Sequence, residues 1–301
     1  MGLFDRAKKE NKSININPDD SDVWTDKGIV MFNLGEYEDA IWCFDNAIKI
    51  NPIDFFALYN KGLTLYHLDK NEEALFYFDQ SLQFGPKNVL ALTNKGLVLS
   101  ALCRHEESMK FFDKALEVDP ENVYVLNQKG NVLGTVGKDE EALLFFDKAL
   151  KIDPNYPFAL SDKGHALDTL GKYEEAINCY DQALRCDDET WKSNLKYGYT
   201  LVGKSSTLGS LGKYEESIFC CDQALKINPE NSIAWNNKGL ALENLCKYDE
   251  ALKCYDQAIS INPNDPDTWN AKGSLLDTLG KHKEAEKCLN KMLELEKRNN
   301  S

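Results

Sequence analysis

Nine cysteines and four histidines are the residues of this 301-residue chain best suited to metal or thiol chemistry, and their spacing argues against both. No CxxC occurs, and the only close pair is Cys220-Cys221. Adjacent residues on a helix point about 100° apart and rarely share one zinc. His67, His105, His165 and His282 form no HExxH and stand beside no cysteine at ligand spacing. No serine lies in GxSxG, and no glycine-rich phosphate loop precedes a helix. Paired carboxylates such as Glu174-Glu175 are plentiful, but they recur at a regular interval. A catalytic pair should be unique, so these read as solvated helix starts. No catalytic, cofactor-binding or metal-ligating residue is therefore assigned, no cofactor is expected, and the chain is read as a non-enzyme.

Composition narrows the partner. The formal charge of −14 lacks the clustered Lys/Arg that nucleic acid demands. No apolar run approaches the ~18–20 residues of a membrane span, and residues 1–17 are too polar for a secretory signal. An odd cysteine count spread over a long chain points to reduced thiols and a cytoplasmic setting.

The elements come from a repeat. Gly28, Gly62, Gly96, Gly130 and Gly164 are spaced by 34 residues, as are Gly239 and Gly273, and Pro52, Pro86, Pro120 and Pro154 keep the same period. With the glycine at position 8, units begin at 21, 55, 89, 123, 157, 198, 232 and 266. Residues 21–299 then hold eight units, with a seven-residue insertion, WKSNLKY, at 191–197. Residues 1–20 read as a half-repeat capping helix, the alternative being the tail of a longer array.

Each unit reads as two helices. Apolar residues at positions 4, 11 and 14 of the first, and 21, 24, 28 and 30 of the second, have helical spacing. Acids at 18 and 19 favour the second helix's N-terminus, and Pro at 32 ends it. Small residues at 8, 20 and 27 let the two backbones approach closely. Cys43, Cys179, Cys220, Cys254 and Cys288 share position 23, occupied elsewhere by Tyr77, Phe111 and Phe145, so cysteine acts there as an apolar filler. Lys stands at position 7 in all eight units and Asp at position 25 in seven. A lysine reaching the aspartate of the preceding unit would set the stacking register.

This pattern resembles the tetratricopeptide repeat family. Residues 232–265 carry Trp235 at position 4, Gly239 at 8, Tyr248 at 17, Ala251 at 20, Tyr255 at 24, Ala258 at 27 and Pro263 at 32, with Cys246 where the family has glycine at 15. The resemblance implies an all-α solenoid of stacked helix-turn-helix repeats in a right-handed superhelix. Its first helices would line a concave groove, and the family mostly binds other proteins. The implied groove positions 2, 5 and 6 supply Phe56, Tyr59, Asn60, Asn94, Tyr124, Asn127, Phe158, Tyr199 and Asn237, and Tyr66 adds another aromatic. Positions 2 and 5 hold no cation, so no carboxylate clamp for a chaperone tail is expected.

The expected function is a non-catalytic module that binds a protein or peptide in its groove. The partner would be basic with apolar anchors, drawn by groove acids such as Asp22, Asp26 and Asp267. The alternative is a scaffold or assembly-factor subunit working through its convex face, its ends or the insertion. The insertion has two readings, a lengthening of the sixth unit's first helix or a protrusion carrying Trp191 and Tyr197 into a contact.

Overall fold

A computed structural model describes residues 20–299; the N-terminal half-repeat falls almost wholly outside them. The described residues are helices and short turns, with no strand among them. The chain divides into two compact bodies, residues 1–132 and 133–301.

In the first body α1 (Ser21–Asn33) packs on α2 (Tyr37–Ile50), α3 (Phe55–His67) on α4 (Asn71–Phe84), and α5 (Val89–Ala101) on α6 (His105–Val118). The next helix, α7 (Val123–Thr135), contributes Val125 and Val132 to a core shared with Leu92, Phe112 and Ala115. The second body opens with α8 (Asp139–Ile152), which packs on α9 (Pro157–Thr169). It continues with α10 (Tyr173–Leu184), a four-residue α11 (Glu189–Lys192) and α12 (Leu195–Ser210). The remaining helices are α13 (Tyr214–Ile227), α14 (Ser232–Asn244), α15 (Tyr248–Ile261), α16 (Pro266–Thr278) and α17 (His282–Asn299).

The turn between the two helices of each unit uses the same device. Position 15 adopts positive φ in each unit, with glycine at residues 35, 137, 171, 212 and 280 and Asp69, Cys103 and Cys246 elsewhere. That left-handed residue ends the first helix and lets the chain reverse. The first helices open on side-chain caps, as where Asp54 accepts from the amides of Phe56 and Ala57 at 3.0 and 3.1 Å.

Close approach explains position 8. A Cβ on Gly96 would stand 2.8 Å from the Phe112 ring of the partner helix, which is fully buried. Where position 20 is serine, its hydroxyl donates to the position-8 carbonyl, as from Ser108 to Gly96 and from Ser217 to Ser205, both at 2.7 Å. The five position-23 cysteines are buried, and burial raises each thiol pKa.

The stacking pair is present at seven junctions. Lys61 meets Asp45, Lys95 meets Asp79 and Lys129 meets Asp113 in the first body. In the second, Lys163–Asp147, Lys204–Asp181, Lys238–Asp222 and Lys272–Asp256 lie at 2.5–2.6 Å. Burial disfavours charge on Lys61, but bonds to Asp45 and Tyr77 outweigh it and hold its pKa above the ordinary lysine value. Lys27 instead lies 5.3 Å from the Trp24 ring centroid and 5.7 Å from that of Trp42.

The insertion lengthens the sixth unit's first helix by only part of its seven residues, and it does not protrude. It breaks into α11 and a Ser193–Asn194 turn, so α12 begins three residues before Gly198 rather than seven. Asp188, standing where other units have proline, caps α11 by accepting from the Thr190 amide at 2.8 Å. Trp191 does not protrude. It is fully buried, its indole N–H donates to the Ala183 carbonyl at 2.9 Å, and it packs with Leu160 and Ala183. An indole is too large an apolar body to leave in water when a pocket for it stands beside the chain.

Candidate functional site

The first-helix faces are the surface that the fold leaves undecided. Position 2 sits near the start of each first helix. Phe56, Leu90 and Tyr124 are exposed there in the first body, at 56%, 59% and 44%. Tyr199 and Ile233 are equally open in the second, and Phe158 is half-buried. A row of large apolar side chains in water is costly and marks a binding surface.

In the first body Tyr59, Tyr66 and Tyr124 come together. Burial raises the pKa of each phenol, to about 12 for Tyr59; Tyr124 adds to the rise at Tyr59, and Tyr66 adds to the rise at Tyr124. The Asn94 amide on α5 donates to the Tyr59 hydroxyl at 3.1 Å.

Position 5 behaves differently from the groove expectation. Tyr59 is 8% exposed and Asn127 only 1%, so neither offers its side chain to a ligand. At Thr25, Tyr59 and Ser161 the side chain turns toward the next unit rather than outward. Thr25 donates to Asp54 at 3.2 Å, Tyr59 accepts from Asn94, and the Ser161 and Thr200 hydroxyls lie 2.6 Å apart.

The position-6 asparagines are partly committed to the protein itself. Asn60 donates to the Phe56 carbonyl at 2.8 Å, Asn94 to the Leu90 carbonyl at 2.9 Å, and Asn237 to the Ser205 hydroxyl at 3.1 Å. Their remaining capacity for a partner lies in the side-chain carbonyls. In the second body, Phe158, Trp191 and Tyr197 form one aromatic cluster, with Trp191 5.0 Å from Phe158 and 5.9 Å from Tyr197. Lys196 closes its edge by pairing with Asp162 at 2.5 Å. Toward the other end of α12 its small residues open a depression of about 280 Å³ lined by Ser206, Gly209 and Ser210 on one side and Asn237, Leu240 and Asn244 on the other.

Leu90 and Ile233 were not singled out from sequence, since aliphatic residues in a repeat look like core. Their register with Phe56 and Tyr124 was the available signal. The most exposed thiols are Cys103 and Cys246, both at position 15. Among the described residues no group of three or more His, Cys, Asp or Glu could hold a metal ion, and no helix is long and apolar enough to cross a membrane.

Tetratricopeptide repeat profiles match residues 157–189 and 232–265 in one form, 11–41, 43–76 and 254–287 in a second, and 89–122, 123–156 and 199–231 in a third. The chain belongs to the tetratricopeptide repeat family. No curated protein matches it in sequence. Among solved structures, the APC/C hetero-tetramer Cut9–Hcn1 is similar over 97% of this chain and 56% of that one, with 16% identity and a TM-score of 0.67. A tetratricopeptide repeat protein from Parabacteroides merdae is similar over 85% of this chain and 98% of its own, at 16% identity and a TM-score of 0.64. Pseudomonas aeruginosa pilF follows at 71% and 94% coverage, 18% identity and a TM-score of 0.60. These likenesses establish the tetratricopeptide fold, an all-α solenoid of stacked helix pairs. Tetratricopeptide repeats in general are protein-interaction scaffolds.

Proposed function

We propose that this chain is a non-catalytic interaction module and that its first-helix face holds a protein or peptide partner. The observation that carries the reading is the exposed row Phe56, Leu90 and Tyr124. Burying one large side chain against such a row contributes roughly 1.5–3 kcal/mol. Three successive units of the first body, with side chains at one register, offer a partner three anchor points.

The charge on this face favours a basic partner. The lysines at position 7 are engaged by the aspartates of preceding units from Lys61 onward, which leaves them little attraction for an acidic tail. Asp22, Asp26 and Asp267 stand exposed on first helices. Within a net charge of −14 they would speed the approach of a cationic segment and make its binding weaken with salt.

The test is affinity capture from native lysate, comparing the wild-type chain with Phe56→Ser/Tyr124→Ser. Both residues are exposed, so circular dichroism should be unchanged while the captured partner is lost. Equal recovery by the double variant would refute the first-helix reading. Tyr59 is unsuited to this test, because its ring packs 5.9 Å from that of Phe78 and its loss would disturb the core.

A further inference from the structure

Position 22 faces outward on the back of each second helix. Lys110, Asn178, Lys253 and Lys287 occupy it in four units, so the fold does not require an apolar residue there. The first two units nonetheless carry Trp42 and Phe76, exposed at 54% and 55% on the successive helices α2 and α4. Trp42 stands edge-on to Trp24 at 5.0 Å, and Phe76 edge-on to Tyr77 at 5.1 Å.

Each aromatic lies one helical turn from a pair of exposed carboxylates, Glu38 and Asp39 beside Trp42, and Glu72 and Glu73 beside Phe76. Among the described residues none of these four is in an ion pair. The cations nearby in sequence are Lys49 near the end of α2 and Lys70 before α4. Arg104, held by Glu107 at 2.8 Å, also feels Glu72. The third unit has Lys110 at position 22, and beside Leu144 in the fourth, Glu141 is engaged by Lys138 at 3.3 Å. The sixth unit repeats the combination with Phe219 beside Glu215 and Glu216, but it stands between units with Asn178 and Lys253 at position 22, whereas α2 and α4 present it on successive helices.

We propose that the back of α2 and α4 is a second docking surface, and that its occupant is an amphipathic, Lys/Arg-bearing segment of a partner protein. The aromatic faces would cover the aliphatic stems of such residues and attract their cationic heads, while the four carboxylates pair with them. Four unneutralised acids repel phosphate, which argues against nucleic acid and anionic lipid. They also repel a second copy of this chain. The surface is separate from the first-helix row, so a scaffold role in which two partners are held at once follows from it.

The test uses a fluorescein-labelled 18-residue peptide with leucine on one helical face and arginine on the other, and a scrambled peptide of the same composition. Phe76→Lys introduces the residue that Lys110 already carries in the next unit, so it should fold. Measured in the Phe56→Ser/Tyr124→Ser background, which removes the first-helix row, it is expected to weaken binding at least tenfold, as is Glu72→Lys/Glu73→Lys. The scrambled peptide should bind at least tenfold more weakly. Equal binding of the scrambled peptide, or no change in affinity on adding Phe76→Lys to the Phe56→Ser/Tyr124→Ser background, would overturn the proposal. Loss of binding only in the Phe56→Ser/Tyr124→Ser variant would overturn it while leaving the first-helix reading standing. Association with phosphatidylcholine vesicles, or self-association in sedimentation, that Phe76→Lys abolishes would replace the proposed occupant and so refute it.

Discussion

The junctions between units and the first-helix face are built from the same short repeat, yet they tolerate change very differently. At the junctions one lysine–aspartate pair recurs at every step from Lys61–Asp45 to Lys272–Asp256. Six of the seven pairs link residues 16 apart, and the seventh, Lys204–Asp181, links residues 23 apart because the insertion lies between them. The contact is kept in space although the spacing in sequence is lost. On the first-helix face, position 2 runs through Asp22, Phe56, Leu90, Tyr124, Phe158, Tyr199, Ile233 and Asp267, with no constancy of type. Junctions serve the fold, which is the same in each unit; under the proposed function the face serves a partner, which presents something different to each.

Substitutions at the junctions should therefore act on stability, and those on the face only on binding. The largest effect is expected from Trp191→Ala, which empties the plug between α9, α10 and α12. A loss of about 3–5 kcal/mol in denaturant unfolding would match a large buried aromatic. A change under ~1 kcal/mol would show that the insertion is a dispensable extension after all.

Gly96→Val should cost about 1–3 kcal/mol, since even its Cβ meets the Phe112 ring at 2.8 Å. A wild-type melting profile for this variant would mean that α5 and α6 can separate freely.

Alkaline pH should weaken the junctions by two steps. The buried thiols have pKa values raised above 9.0, to about 11 for Cys221. The unfolded chain then ionises first, and stability falls as pH rises past about 9. Lys61, Lys163 and Lys238 are held above 10.5 by their aspartates. Their contribution is complete below 10.5 and disappears as pH rises through the folded-state values. An unfolding midpoint unchanged from pH 7 to 10.5 would contradict this.

The smallest junction effect belongs to Lys129→Met. Its Asp113 partner is exposed, so the pair is worth about 0–1 kcal/mol, read by chemical denaturation. A loss above ~3 kcal/mol would place the register in that pair rather than in apolar packing.

The fold was legible because the repeat states each constraint several times over. Position 8, position 15 and the Lys–Asp pair could each be read from type and spacing alone. The insertion was not legible, because it occurs once and a lone tryptophan can face water or core equally well by sequence. The site was legible only in part. The structure leaves the position-2 side chains Phe56, Tyr124 and Tyr199 exposed, whereas Tyr59, three residues after Phe56, is buried and bonded to Asn94 on the next unit's first helix, and Asn127 is buried as well. That burial is a packing property, and no residue type in position 5 announces it.

The central claim is that the exposed row of the first body meets the partner. A photo-crosslinking residue placed at Leu90, and in a control at Lys110 on the back of the same unit, tests it most directly. Both positions are exposed, at 59% for Leu90, and neither touches a buried junction. The account predicts that Leu90 crosslinks to the captured protein in native lysate and that the Phe56→Ser/Tyr124→Ser background removes the adduct. An adduct at Lys110 with none at Leu90 would contradict it.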